Sequence, residues 1–281
     1  MRTEDDVTTD RAADRALVLG PGGYLGTAWT AGLAAGLREA GIDLAEADLT
    51  VGTSAGAIVA AVLTAGQDPA RLATPTGAAP ARRPDTALTG AVFALLGQGL
   101  DPAEARRRVG RLALQSADPE AEADLLRRRT ALIATDTWPE QRLLITAVCA
   151  HNGEPALWDA ACGVPLARAV AASSAFPGIE VPVTVDGRHY IDGALRAGTN
   201  ADLAAGARTL VVIDPLAHRH PGTPTAPGAL TLAPDPAAAR LLDTPGPADP
   251  ATWQAAYRAG HTQATPAAAL LHEAWRPVTP R

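Results

Sequence analysis

Two short apolar runs near the N-terminus, each ending at a glycine and followed by a helical pattern, constrain the fold of this chain most strongly. The first run covers residues 16–19 before Gly20, and residues 27–40 then place large apolar side chains at four-residue spacing, typical of a helix. The second run covers 48–52 and leads into an alanine-, isoleucine- and valine-rich segment over 55–65. This strand–helix–strand–helix order predicts an α/β fold with a mostly parallel sheet.

Sheet character returns later in the chain, after a less regular middle region. Apolar runs at 142–148, 181–185, 188–191 and 209–213 predict further strands. The proline-rich segment 215–235 predicts a loop, because proline cannot donate to a strand ladder.

The chain is long enough for one α/β domain with additions. Residues 1–14 are polar and we expect a disordered tail there, followed by a single domain over 15–281. Within that domain, 67–130 begins with prolines and glycines and continues into predicted helices near 86–97 and 101–116 and a further helical turn or two over 120–128. This pattern indicates a variable cap or lid region. Residues 235–281 are predicted to be a C-terminal helical segment.

Charge and composition exclude several classes of function. The formal net charge is −6, which gives no support to nucleic-acid binding, because that needs a basic surface. All 24 basic residues are arginines. Mechanisms that need a lysine amine, such as Schiff bases, Ser–Lys dyads and Walker A phosphate binding, are therefore excluded.

The sequence also predicts where the protein resides. The first residues are acidic and lead into no apolar stretch, so we expect no signal peptide. No apolar run approaches the roughly 18 residues that a transmembrane helix needs. Cys149 and Cys162 match no metal spacing and no disulfide framework, which is typical of core residues in a reducing compartment. We therefore expect a cytoplasmic protein without a transmembrane segment.

The strongest local motif is Gly52-Thr53-Ser54-Ala55-Gly56, a G-x-S-x-G pattern between a predicted strand and a predicted helix. A sharp strand-to-helix turn pushes the serine hydroxyl out of the sheet, and small neighbours relieve crowding there. The start of the following helix also favours developing negative charge. In this context the pattern favours a catalytic serine over a plain tight turn.

A glycine-rich loop over 20–26 precedes this motif, also between a strand and a helix. One interpretation is a dinucleotide fingerprint, although Leu25 stands where the third glycine is needed. The other is an oxyanion hole built from backbone N–H groups. Because Pro21 has no N–H, the donors would be Gly22 and Gly23.

Together these motifs resemble the patatin-like phospholipase family. The third element of that resemblance is Asp192-Gly193-Ala194, and the segment 171–177 is similar to the family's A-S-x-A-x-P stretch before it. Asn200 also falls where the family usually has an asparagine. The resemblance covers about 16–214 in order and register.

The resemblance implies a three-layer fold with a central mostly parallel sheet, helices on both faces and a small helical cap. It implies a Ser–Asp dyad in place of a triad, in which Ser54 attacks the acyl carbonyl and Asp192 takes its proton. Gly22 and Gly23 would hold the oxyanion, with no metal and no organic cofactor. An aspartate base needs a raised pKa, which burial with few charged neighbours would supply.

The sequence departs from the family pattern at two positions of the glycine loop. Pro21 replaces the first glycine, and Leu25 replaces a basic residue, which puts the recognition of a phosphate headgroup in doubt. Ala194 is a common variant of the family's D-G-G.

Two further groups are less specific. The basic run 127–129 is more typical of a solvated helix end than of a site for an anionic ligand. His189 lies three residues before Asp192, so strand alternation would point the two side chains to opposite faces, which argues against a His–Asp relay.

The expected function is hydrolysis of a carboxylic ester of a lipid or other hydrophobic acyl substrate through a Ser54 acyl-enzyme. Transient contact with a membrane surface is compatible with such a substrate. Two alternatives stay open: an acyltransferase that uses the same acyl-enzyme, and a non-catalytic binding protein on the same scaffold.

Overall fold

The computed structural model describes residues 13–74, 83–219, 226–244 and 248–275. The disordered tail expected over 1–14 lies almost wholly outside the described residues. The described strands, in chain order, are β1 Arg15–Leu19, β2 Leu49–Gly52, β3 Arg142–Cys149, β4 Pro155–Trp158, β5 Val183–Val185, β6 Arg188–Asp192, β7 Thr209–Ile213 and β8 Leu230–Leu232.

The helices alternate with these strands along the chain. They are α1 Gly23–Glu39, α2 Ala55–Thr64, α3 Thr86–Leu96, α4 Pro102–Leu114, α5 Pro119–Ile133, α6 Leu166–Ser173, α7 Ala194–Ala197, α8 Pro236–Leu242 and α9 Pro250–Ala274. Short 3₁₀ turns occur at Leu44–Glu46, Pro69–Ala73, Ala201–Ala204 and Ala217–Arg219. No helix among the described residues is long and apolar enough to cross a membrane.

The strands form one sheet in the order β5-β6-β3-β2-β1-β7-β8, with β4 also paired to β3. The five strands from β3 to β8 in this order are parallel, whereas β4, β5 and β6 join by antiparallel pairing. The mostly parallel sheet confirms the predicted α/β fold. In its register Leu19 pairs with both Gly52 and Ile213, so β1, β2 and β7 end at the same edge.

Apolar side chains cover both faces of the sheet, as the three-layer expectation requires. On the first face, α1, α2, α5, α6 and α9 pack over alternate strand residues such as Leu17 and Ile145. On the second face, the 3₁₀ turn Ala201–Ala204 covers Val18 and its neighbours. Further along that face, α3, α4 and α7 cover Val148 and Ile191.

The middle region contains more helix than the sequence indicated. Only a turn or two was expected over 120–128, yet α5 runs for 15 residues. Asp118 caps its start and Pro119 occupies the first helical position, where both residue types favour helix initiation. Leu125 and Leu132 are buried in the main core and hold the later turns. A cap role for α3, the most exposed of these helices, stays a prediction.

The loop predicted over 215–235 is wrong in one part, because it contains the edge strand β8. β8 has only three residues and pairs in parallel with β7, so that Ile213 lies opposite Leu232. A run this short shows no alternation in sequence, and the pairing with β7 is what makes it a strand.

Candidate active site

Ser54 lies on the sharp turn between β2 and α2, at the carboxyl edge of the sheet. Its backbone has φ 55° and ψ −117°, a conformation that few residues other than glycine adopt. Gly56 makes the turn possible, because a Cβ there would lie 2.0 Å from the carbonyl oxygen of Leu19. The Ser54 N–H donates to Ser173 Oγ at 3.0 Å, which ties the turn to the end of α6.

Asp192 lies directly beside this serine, although 138 residues separate the two in the chain. Ser54 Oγ donates a 2.7 Å hydrogen bond to Asp192 Oδ2. The other carboxyl oxygen accepts from the Ala194 N–H at 2.8 Å. Gly193 lets this segment approach β3, because a Cβ there would lie 2.2 Å from Thr146 Oγ1. The structure therefore brings together the serine and aspartate that the sequence singled out.

Burial changes the acidity of Asp192. Asp192 is buried, with only 1% of its surface exposed to solvent. Loss of solvation raises the pKa of Asp192 from 3.8 to about 7, against the smaller opposing effects of the Ser54 and Ala194 hydrogen bonds and the Arg129 charge. A carboxyl with this pKa changes its proton occupancy near neutral pH, which suits a general base.

The glycine loop lies at the same cavity as Ser54. Gly22 is the N-cap of α1 and Gly23 its first residue, and both line the cavity. Helix geometry gives the first N–H groups of α1 no acceptor within the helix, so they are free to face a ligand. The Tyr24 hydroxyl, bonded to the Asp249 carbonyl at 3.0 Å, anchors this loop to the start of α9. Leu25 packs against the main core.

A buried polar network connects the serine turn to the aspartate segment. Asn200 Nδ2 donates to Thr53 Oγ1 at 3.0 Å and to the Gly193 carbonyl at 3.1 Å. Thr146 Oγ1 lies 3.0 Å from Thr53 Oγ1 and completes the cluster. The position of Asn200 in the sequence pattern already singles it out, whereas Thr146, an alternating residue within a strand, has no local sequence signal.

The cavity has a volume of about 590 Å³ and is mainly apolar. Its polar groups gather around Ser54, whereas its walls come from helices on both faces of the sheet. The apolar and aromatic residues that line it include Tyr24, Ile58, Phe93, Leu96, Leu132, Phe176, Ile179, Leu195, Leu216 and Trp253. Such a lining fits a hydrophobic chain with a polar reacting group at one end.

The basic run 127–129 differs from its predicted solvated position. Arg127 is exposed and pairs with Asp124, but the next two arginines turn inward. Arg128 makes two 2.9 Å hydrogen bonds to Glu180, and Arg129 makes a weaker 3.3 Å bond to it. The sequence pattern could not show this, because Glu180 comes from a separate segment after α6.

No histidine among the described residues hydrogen-bonds Ser54 or Asp192. The His189 ring instead lies 3.3 Å, Nδ1 to Nε2, from that of His151. One of the six histidines of the chain, His220, lies outside the described residues. In the described part of the chain no three His, Cys, Asp or Glu side chains gather as metal ligands. The expectation of a site without metal or cofactor stays a prediction.

The site lies on a mostly parallel sheet, with a serine on a strand–helix turn and a second polar side chain bonded to the serine hydroxyl. This arrangement is typical of α/β enzymes that use a serine nucleophile. The family model described as patatin-like phospholipase matches residues 17–205. The chain therefore belongs to the patatin-like phospholipase family, as its motifs indicated. Proteins of this family are esterases and phospholipases.

Two solved structures are similar to this chain. VipD from Legionella pneumophila is 12% identical with a TM-score of 0.49, over 92% of this chain and 67% of VipD. The type III effector protein ExoU is 18% identical with a TM-score of 0.38, over 91% of this chain and 53% of ExoU. No curated protein matches the chain.

Proposed function

We propose that this protein is a serine acyl hydrolase that cleaves a carboxylic ester of a lipid or other hydrophobic acyl substrate. Ser54 is the nucleophile and Asp192 is its base. The observation that carries the proposal is the 2.7 Å hydrogen bond from Ser54 Oγ to a carboxyl that is buried and whose pKa is raised to about 7.

In the first half-reaction Asp192 accepts the Ser54 proton while Oγ bonds to the acyl carbon. The carbonyl oxygen becomes an oxyanion, for which the Gly22 and Gly23 N–H groups are the proposed donors. The tetrahedral intermediate collapses as the ester C–O bond breaks, and protonated Asp192 returns its proton to the leaving alcohol. The acyl group is then held as an ester of Ser54.

In the second half-reaction water takes the place of the alcohol. Asp192 removes a proton from the water as its oxygen bonds to the acyl carbon, and the Ser54 Oγ leaves with that proton. The products are a carboxylic acid and the free serine. One carboxyl thus serves twice, which requires a pKa near the working pH.

The lining of the cavity supports a hydrophobic acyl chain. Phe93 on α3 is 59% exposed and Ile179 and Leu96 are also exposed, yet all three line the cavity. These three exposed apolar side chains lead into an apolar cavity, which favours a substrate with an alkyl chain. They also permit transient contact with a lipid surface. We propose that this group forms the entrance for the acyl chain.

The proposal is tested by incubating the purified protein with a fluorophosphonate and mapping the adduct by peptide mass spectrometry. One adduct on Ser54, together with turnover of 4-nitrophenyl esters, is the expected result. A protein that hydrolyses none of the esters and stays unlabelled would contradict the proposal.

The acyl-chain entrance predicts a dependence on chain length. We expect Phe93→Ser to lower kcat/KM for the 4-nitrophenyl decanoate ester about three- to tenfold, because it removes apolar contact area worth roughly 1 kcal/mol or more. The acetate ester, which has no alkyl chain to contact Phe93, should be almost unaffected. Leu270, equally exposed on α9, supplies the control Leu270→Ser; equal losses for both variants would refute the entrance.

The raised pKa of Asp192 predicts the pH profile of the enzyme. The base acts as a carboxylate, so kcat/KM for a neutral ester should rise about tenfold per pH unit below pH 7 and level off above it. The measurement is initial rates from pH 4.5 to 9 at constant ionic strength. A profile that is flat down to pH 5 would contradict the proposal that Asp192 acts as a base with a raised pKa.

A further inference from the structure

Arg129 on α5 is a buried cation in the cavity that holds Ser54. The residue is 6% exposed and lines the cavity. Its Nε donates to Ser174 Oγ at 2.8 Å, next to the Ser173 that holds the Ser54 turn. Arg129 is thus connected to the reacting end of the cavity, where its charge acts on Asp192, but it forms no bond in the proposed reaction steps.

The hydrogen bonds of Arg129 are incomplete. Its Nη2 makes a 3.3 Å bond to Glu180 Oε1, and its Nη1 is buried without an acceptor among the described residues. A buried guanidinium N–H without an acceptor loses its hydration and receives nothing in return. This side chain therefore has one unused donor and a charge that is only partly compensated.

The neighbouring charges leave a positive excess. Glu180 already accepts two 2.9 Å bonds from Arg128, so it is shared between two arginines. Asp124, which bonds Arg128 at 2.8 Å, is shared in the same way with Arg127. Three guanidinium groups thus share the hydrogen bonds of two carboxylates, and Arg129 has the weakest share of them. The nearby Asp192 carboxyl, whose pKa is about 7, adds a negative charge beside Arg129 only when it is ionised.

We infer that Arg129 determines substrate specificity by binding an anionic oxygen of the substrate, from a carboxylate or a phosphate group. The inference rests on the proposed function and adds a preference for esters that carry an anion near the reacting group. An anion supplies the acceptor that Nη1 lacks and balances the excess charge, and bonds between charged partners are the stronger ones. A neutral ester of the same length supplies neither.

Binding of simple amphiphiles tests the inference without turnover. Octanoate, octyl phosphate and octan-1-ol are titrated into the purified protein by calorimetry. We expect the wild type to bind at least one anion about tenfold more tightly than the alcohol, and Arg129→Met to lose about tenfold to hundredfold of that affinity while keeping the affinity for octanol. Whether octanoate or octyl phosphate shows the larger loss identifies the anion.

Matched variants separate this role from a structural one. Arg129→Lys retains the charge and should keep part of the preference, and Arg127→Met on the exposed side of α5 should keep all of it. Arg219→Met removes the other arginine of the cavity, which Asp243 holds at 2.8 Å. Glu180 keeps Arg128 in Arg129→Met, so we expect a folded protein, checked by circular dichroism. If Arg129→Met does not fold, the affinities of Arg129→Lys and of the wild type for the anions and for the alcohol still test the role of Arg129.

Kinetics complete the test and separate the two proposals. The substrates are 4-nitrophenyl octanoate and 3-carboxy-4-nitrophenyl octanoate, which carries a carboxylate on its leaving group, close to the ester. Arg129→Met should raise KM for the second substrate relative to KM for the first, with both measured on the high-pH plateau of each enzyme, because loss of the Arg129 charge also alters the pKa of Asp192. Equal affinity of the wild type for anions and alcohol, or a loss in Arg219→Met alone, overturns the role of Arg129. Absence of any ester turnover instead overturns the proposed function. The difference in binding affinity between the anions and the alcohol then still tests the role of Arg129.

Discussion

Replacement of Ser54 by alanine is expected to lower ester hydrolysis by at least about three orders of magnitude and to abolish fluorophosphonate labelling. Alanine removes only the Oγ atom, which is the proposed nucleophile, and leaves no group that can form the acyl-enzyme. The measurement is single-turnover acylation of the purified variant. Its melting temperature should stay close to that of the wild type, because the turn is retained and little volume is lost.

The control for this variant is a serine outside the cavity. Ser116 follows α4, and its hydroxyl donates to the Ala113 carbonyl at 2.8 Å, so Ser116→Ala should keep both activity and labelling. If Ser54→Ala kept half of the esterase activity after purification, the nucleophile would have to be sought elsewhere.

Asp192→Asn is expected to slow acylation by roughly two to four orders of magnitude, the usual contribution of a general base. The amide keeps the shape of the side chain but has no site that can accept the Ser54 proton. Histidine variants are the matched controls, and His189→Gln is the most informative because His189 is nearest in sequence to Asp192. An inactive but folded His189→Gln enzyme would point to a histidine base and contradict the Ser–Asp pair.

The same variant has an opposite expected effect on stability. In the folded protein the pKa of Asp192 is raised above its value of 3.8, so its contribution to stability is fully present below that pH and is lost as the pH rises towards 7. At pH 8 the buried charge therefore lowers the free energy of unfolding by roughly 4 kcal/mol, and a neutral amide lacks this penalty. Asp192→Asn should therefore melt higher than the wild type at pH 8.

Thermal unfolding at two pH values is the measurement. The difference in melting temperature between Asp192→Asn and the wild type should shrink as the pH falls from 8 to 4, because the wild-type carboxyl becomes protonated. A variant that is less stable at pH 8 and equally so at pH 4 would show that Asp192 is not a buried charge. An inactive, more stable enzyme would fit a site that trades stability for function.

The sequence determined the features that short stretches of chain encode. The apolar runs before Gly20 and within 48–52 predicted the parallel strands, because a buried strand needs only local hydrophobicity and a glycine at its end. The Ser54 turn was predicted for the same reason, since the steric demands of a strand–helix turn fall on five adjacent residues. Family membership followed from these motifs in their order.

Only the tertiary structure decided what depends on residues distant in the chain. The 2.7 Å hydrogen bond of Ser54 joins it to Asp192, 138 residues away, and the raised pKa of that carboxyl depends on burial by several helices. Arg129 looked solvated in sequence but is buried against Glu180, and β8 exists because β7 offers it a partner. Burial, charge pairing and strand pairing are properties of the assembled chain, so no local pattern could contain them.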